Sequence, residues 1–198
     1  MLVWIILISL CAFAGGCKME HENISMKKLT DHLKKHASLP EDELDIRAIP
    51  VAVLPKKYAV YYAEKKQSHG NVFYHCVLVN DDIYSSAEKD GFERLLKKEN
   101  FLASKSLTPD QFITLFSMLK GKIRDREIVR KEDLSQGGIL ETSETQASEP
   151  VLVERADGIE VVFWTLALRS HALERWSVQV FPDYRVEFKS EVPTAATP

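Results

Sequence analysis

Strand-like patterning occurs in two blocks of the 198-residue sequence, with a helical block between them. The first block is a pair of β-type segments, 57–65 and 72–79, separated by turn residues. Strands grouped before and after helices favour an α+β fold with an antiparallel sheet. We therefore predict a single α+β domain over residues 24–190, with an antiparallel sheet built from N- and C-terminal hairpins and about three helices.

The second block contains the strongest hairpin pattern in the chain. Segments 151–154 and 159–168 flank the turn residues Ala156, Asp157 and Gly158. An Asp-Gly pair readily supplies the positive φ angles that a tight turn needs. The second segment is apolar on both faces near its centre, so we expect it to be covered on both sides.

The block between the strands, and the segment before them, predict three helices. Apolar residues three or four positions apart over 26–36 indicate an amphipathic first helix. The second helix is predicted to start at Ser85 and Glu88, which have the spacing of a capping box. The third is predicted to start at Thr108 and to end at Gly121.

Three segments have neither the helical nor the strand periodicity of apolar residues. We predict an acidic loop over 40–50, an exposed mobile loop over about 121–150 and a disordered tail over 191–198. The basic run 120–131 could contact anionic lipid headgroups, but its acidic residues favour an ordinary solvated segment.

Composition narrows the classes of partner. The chain is 45% hydrophobic and 28% charged, which is typical of a globular protein. Its formal net charge is −3, whereas most nucleic-acid-binding proteins have an excess of basic residues. We therefore predict no nucleic-acid partner.

The N-terminal segment has the composition of an export signal. Residues 1–16 contain no charged side chain, and residues 2–10 are apolar apart from Ser9. A membrane-spanning helix needs roughly 20 apolar residues, and charged residues begin here at Lys18. We therefore predict a cleaved signal peptide over 1–16.

The residues Ala14, Gly15 and Gly16 immediately precede Cys17, and this stretch resembles the lipobox of bacterial lipoproteins. The resemblance implies that the Cys17 sulfur carries diacylglycerol, that the signal is cut before Cys17, and that the new amine takes a fatty acid such as palmitate. Residues 17–23 would then form a lipidated tether. The implied membrane contact is made through the lipid on Cys17.

The resemblance also implies a location. In enteric-type bacteria an Asp after the lipidated cysteine favours retention in the inner membrane, and this chain has Lys18. We therefore expect an outer-membrane protein that faces the periplasm, with an envelope protein as its partner. The alternative is a soluble secreted protein cut after Ala14, in which Cys17 and Cys76 keep their thiols and could form a disulfide bond.

The only sequence spacing that suggests metal ligands is that of two histidines on the first predicted helix. His32 and His36 lie on one helical face, but Leu33 stands where a metalloprotease helix carries its Glu, and no third ligand is evident. We therefore predict no metal site, and we interpret the pair as a helix flank facing lipid headgroups or solvent.

His75 and Cys76 are neighbours on a predicted strand, so their side chains should point to opposite faces and cannot form a catalytic dyad. We expect Cys76 to pack as a small apolar side chain. The four tyrosines of this hairpin are interpreted as cross-strand packing, with a sugar- or peptide-stacking platform as the alternative. They are Tyr58, Tyr61, Tyr62 and Tyr74.

No nucleophile elbow, phosphate loop, dinucleotide-binding glycine pattern or paired cysteine motif occurs in the sequence. We therefore predict no catalytic residues and no cofactor, and a binding or scaffolding role in the bacterial envelope. The alternative is an envelope hydrolase without a recognisable motif. It would require a pocket in which His69, His75 or His171 meets carboxylates.

Overall fold

The computed structural model describes residues 26–37, 44–66, 70–123, 126–129, 148–167 and 172–192. These residues form nine strands and four helices, which confirms the predicted α+β class and gives four helices where about three were expected. Their contacts divide them into two compact units, one within 1–50 and 57–88 and the other within 51–56 and 89–198. The prediction of one domain over 24–190 therefore stays a prediction.

Several predicted segments lie outside the described residues. They are the signal peptide 1–16, the tether 17–23 with Cys17, and most of the loop between 130 and 147. The predicted tail 191–198 is described only as far as Val192, and its first residue, Glu191, ends a strand.

The first unit is a four-stranded antiparallel sheet with one helix, α1 (26–37). The strands follow one another in the order β1-β2-β3-β4. They are β1 (Leu44–Ile49), β2 (Tyr58–Lys65), β3 (Val72–Val79) and β4 (Asp82–Ser85). Leu29 and Leu33, spaced one helical turn apart, pack with Ala63 and Cys76 in a buried cluster. The amphipathic first helix and the β2–β3 hairpin are thus confirmed.

The predicted acidic loop over 40–50 is wrong for its second half, which forms β1. Leu44 and Ile46 alternate with polar residues and pack on the Leu29 cluster, while Ile46 pairs with Ala63 of β2. Two partly buried apolar residues and pairing with the edge of β2 therefore make a strand of a segment that contains charged residues.

The second unit contains three helices and five strands. The helices are α2 (Gly91–Lys98), α3 (Phe101–Ser104) and α4 (Pro109–Lys120). The strands are β5 (Arg126–Ile128), β6 (Val151–Arg155), β7 (Gly158–Ala167), β8 (Leu173–Val180) and β9 (Val186–Glu191). On α4, the Phe116 ring packs edge-on against Trp176, whose ring stacks on Phe163. This aromatic layer joins the helix to the sheet.

The sheet of the second unit is antiparallel in the order β5-β7-β8-β9, with β6 also paired to β7. β5 and β6 pair with the two ends of one edge of β7, and β8 pairs along the other edge. The predicted loop over 121–150 therefore contains a short strand. The single sheet that we expected from both hairpins is wrong, because β2 and β3 already pair on both sides with neighbours in the sequence.

The predicted start of α4 is confirmed, whereas the predicted start of α2 is wrong. Thr108 caps α4 through the reciprocal bonds of a capping box with Gln111, as predicted, and Gly121 ends the helix with φ of 64°. The start predicted at Ser85 is wrong, because α2 begins at Gly91 after Asp90. Ser85 instead ends β4, and Glu88 lies in the turn that follows.

Candidate metal centre

The site begins with two imidazoles on α1. His32 and His36 are four positions apart, which places them on the same side of the helix, and their ring centroids are 4.5 Å apart. Leu29 and Leu33 hold the helix against the sheet, so the histidines stand at the border of the buried cluster. Their side chains are 13% and 29% exposed.

The third group of the site is the carboxylate of Glu88. Its Oε2 accepts a hydrogen bond of 2.9 Å from the backbone N–H of Ser85, and its own N–H donates to the Ser85 carbonyl at 3.1 Å. The first bond is the half of a capping box in which the glutamate side chain reaches back to the backbone, and the second is the backbone bond of a turn after the strand. The side chain is 2% exposed. The turn therefore holds the carboxylate in one buried position.

The two histidines meet different oxygens of this carboxylate. His32 Nε2 lies 3.2 Å from Glu88 Oε2 and 3.1 Å from Ser85 Oγ. His36 Nε2 lies 4.0 Å from Glu88 Oε1. One ligand atom from each of His32, His36 and Glu88 falls within 4.8 Å of the others. The interpretation of the histidine pair as a flank facing headgroups or solvent is therefore wrong for His32, whose ring points at a buried carboxylate.

This geometry permits two chemical states. Without a metal, His32 Nε2 and Glu88 Oε2 lie at hydrogen-bond distance from each other. With a metal, two imidazole nitrogens and one carboxylate form the three-ligand set of many open zinc sites. The residues present fit a metal of that class.

Cys76 lies beneath this site and is chemically quiet. It is fully buried on β3, in the cluster with Leu29, Leu33 and Ala63. Burial, and secondly the Glu88 carboxylate, raise the pKa of the Cys76 thiol to about 12. The thiol is therefore protonated at neutral pH and packs as an apolar side chain, as predicted.

His75 lies on the opposite face of β3, as the strand period predicts. Its ring contacts Tyr62 edge-on at 5.6 Å between centroids, and Tyr62 stacks on Phe73 at 5.4 Å. Tyr61 and Tyr74 pack instead on the Leu29 cluster. The four tyrosines are thus divided between the two faces of the sheet and do not form one platform. His69 and His171, the other histidines named for a hydrolase, lie outside the described residues.

The second unit has a groove of about 310 Å³ on its sheet. The Ser177 hydroxyl and the Arg155 guanidinium both donate to Glu160, and they hold the pKa of that carboxyl below its ordinary value. A carboxylate kept ionised by its neighbours is a poor proton donor at neutral pH. The groove is lined by Asp157, Glu160, Ser177, Gln179, Phe181, Glu187, Phe188 and Lys189.

From the sequence, His32 and His36 were considered as metal ligands and rejected for lack of a third ligand, and Glu88 was missed. The signal was present in the Ser85 and Glu88 spacing, which we interpreted as a helix start. Glu88 is separated from His32 by 56 positions, so no local pattern joins them.

Two residues of the basic run 120–131 form ion pairs. Lys120 pairs with Glu93, and Arg126 pairs with Glu174.

No protein-family model matches the sequence, and searches of curated proteins and of solved structures find no significant similarity. Among the described residues, no helix combines the length and the hydrophobicity needed to cross a bilayer. The function is therefore inferred from the chain's own residues.

Proposed function

We propose that this chain is a lipid-anchored protein of the bacterial cell envelope that acts by binding or scaffolding. The observation that carries the proposal is the placement of Cys17 directly after three small residues and an apolar segment. A thiol is the nucleophile that lipid transfer requires, and the apolar segment delivers it to the bilayer. Two or three acyl chains hold a protein firmly, since each buried CH₂ contributes ~0.8 kcal/mol.

The anchor would keep the first helix close to the membrane. Met26, where the described part of α1 begins, lies nine positions after Cys17. A fully extended chain spans at most about 3.6 Å per residue, so this stretch reaches about 32 Å at most. Membrane attachment through Cys17, outer-membrane location and exposure to the periplasm all belong to this proposal.

A binding role is supported by an aromatic patch on the first unit. Phe73 is 37% exposed and stacks on Tyr62. The Arg47 guanidinium lies 5.1 Å from the centroid of the same Tyr62 ring. Exposed aromatic surface next to a cation is typical of a contact surface for another molecule.

Lipid labelling tests the anchor. Cells that express the chain are fed a clickable palmitate analogue, and the purified protein is analysed by fluorescence and by mass spectrometry of its N-terminal peptide. We expect label on the wild type and none on Cys17→Ser. Cys11→Ser is the matched control, because Cys11 lies within the predicted signal, and it should keep the label.

Two results would contradict the anchor. One is a mature N-terminal peptide in which Cys17 has an unmodified thiol. The other is a free Gly15 amine, which indicates the secretory cut after Ala14 and a soluble protein.

A further inference from the structure

We propose that His32, His36 and Glu88 bind a divalent transition-metal ion of the zinc class, with a coordination position left for water or an external ligand. The three ligand atoms lie within 4.8 Å of one another and come from two elements of the first unit. The proposal does not rest on the lipid anchor, since none of these residues belongs to the tether.

The donor set selects the class of metal. Imidazole nitrogens suit Zn²⁺, Cu²⁺ and Ni²⁺, whereas Mg²⁺ and Ca²⁺ prefer sites made entirely of oxygen. His32 and His36 supply two nitrogens, and Glu88 supplies one oxygen. Three protein ligands are one fewer than a closed structural zinc site uses, so the fourth position remains open.

The distances are close to those that a metal requires. Two ligands of a tetrahedral zinc ion, each about 2.1 Å from the metal, lie about 3.4 Å apart. The distance from His32 Nε2 to Glu88 Oε2 is 3.2 Å, and that from His36 Nε2 to Glu88 Oε1 is 4.0 Å. Metal binding would therefore require the His36 side chain to move closer to the other two ligands, and that side chain is 29% exposed.

Glu88 and His32 are held in place before any metal arrives. The Ser85 N–H holds the Glu88 carboxylate, and Leu29 and Leu33 hold α1 on the sheet. Such fixed ligands lose little freedom on binding, which favours affinity. A bound metal would join α1 to the turn after β4 and so stabilise the first unit against unfolding.

Zinc titration of the full chain tests the site. The protein is purified in detergent without an oligohistidine tag, stripped with EDTA and titrated with ZnCl₂ by calorimetry. We expect one ion per chain and a higher Tm with zinc. Co²⁺ in place of zinc should give the visible absorption of a cobalt ion bound by nitrogen and oxygen ligands.

His36→Gln is the informative variant. His36 approaches Glu88 no closer than 4.0 Å, so its replacement should leave the metal-free fold and its Tm unchanged. We expect it to weaken zinc binding by at least about 100-fold, since even an outer-shell partner of a metal costs 10–100-fold. Glu88→Gln keeps an oxygen that can accept from Ser85 and should show the same loss. His75→Gln, on the opposite face of β3, is the matched control and should bind like the wild type.

Three results would overturn the proposal. The first is the lack of saturable binding by the wild type up to about 1 mM zinc, a concentration at which structural zinc sites are fully occupied. The second is that His36→Gln binds zinc as tightly as the wild type does. The third is that His75→Gln loses as much zinc affinity as His36→Gln does. If Glu88→Gln does not fold, the comparison between His36→Gln and His75→Gln still decides the matter.

Discussion

At the residue scale, two glutamates show how surroundings decide what a carboxylate does. Glu88 is 2% exposed and faces two imidazoles, which makes it a metal-type ligand. Glu160 is 13% exposed and accepts hydrogen bonds from a hydroxyl and a guanidinium, which keep it ionised. The two residues have the same side chain, and only the groups that surround each carboxylate in the folded chain distinguish them.

The Glu160 carboxylate predicts a pH-dependent contribution to stability. Its pKa in the folded chain is held below the ordinary value of 4.5, chiefly by the Ser177 hydroxyl and then by Arg155. A depressed folded pKa stabilises the fold above the unfolded pKa, and that stabilisation is lost as pH falls toward the folded value. We therefore expect Glu160→Gln to lower the free energy of unfolding by about 1 kcal/mol near pH 7 and by less near pH 4.

Urea unfolding of wild type and variant at the two pH values measures this difference. Glu154→Gln is the control, because Glu154 is 73% exposed in its ion pair with Lys105. Its effect should stay within about 0.5 kcal/mol at both pH values. A Glu160→Gln penalty that grew on acidification would contradict the assignment.

At the element scale, the same four-residue pattern produces two different structures. Thr108 and Gln111 cap a helix whose next residues, Phe112 and Leu115, are buried. Ser85 and Glu88 share only the bond from the first backbone N–H to the side chain of the fourth residue. The Glu88 N–H donates to the Ser85 carbonyl, which closes a turn, and α2 starts only at Gly91. The pattern specifies one local hydrogen bond, whereas the packing of the residues that follow decides whether a helix continues.

The β6–β7 hairpin predicts a large effect at one glycine. The turn residues are Ala156 and Asp157, and the positive φ falls on Gly158 alone, at 139°. A Cβ at Gly158 would lie 2.0 Å from the carbonyl oxygen of Val180. We expect Gly158→Ala to destabilise the chain by the backbone strain of ~1–3 kcal/mol and by at least about 2 kcal/mol more from the clash.

Gly70→Ala separates the two causes. Gly70 also has a positive φ, 122°, but among the described residues other than its chain neighbours no atom lies within 4 Å of the position that its Cβ would occupy. It should show the strain of ~1–3 kcal/mol without the clash. Thermal or urea unfolding compares the variants, and equal losses would show that the contact with Val180 relaxes freely.

At the scale of the whole molecule, three cysteines connect the fold to the proposed anchor. Cys11 lies in the predicted signal, Cys17 is the predicted lipid site, and Cys76 is fully buried. Each of the two units has its own sheet, and Cys76 lies in the buried cluster of the first. The number of free thiols in the mature chain therefore reports on the N-terminus.

We expect no rapidly reacting thiol in the native mature protein and one thiol per chain after denaturation. The Cys76 thiol should react slowly in the native protein because it is buried and its pKa is raised to about 12. The proposed lipid would block the Cys17 sulfur. Titration with a chromogenic disulfide reagent measures both counts. Cys76→Ala should give none when denatured. Two thiols in the denatured wild type, or a disulfide that needs reduction, would support the secretory cut after Ala14 and contradict lipidation.

The sequence by itself determined the elements with a strong local pattern. The apolar spacing of α1, the capping box of α4 and the hairpins β2–β3 and β6–β7 follow from helical or strand periodicity and from turn chemistry, which neighbouring residues fully specify. β1 and β5 were missed because they are rich in charged residues and become strands only when β2 and β7 offer an edge.

The tertiary structure alone decided the division into two sheets and the assembly of the metal-type site. Whether two hairpins share a sheet depends on which edges other strands occupy, and the periodicity of a strand carries no record of that. Likewise, His32 and His36 meet Glu88 only because α1 packs across the end of β4, which brings together residues 56 and 52 positions apart. Such contacts depend on the packing of whole elements, and local sequence does not encode them.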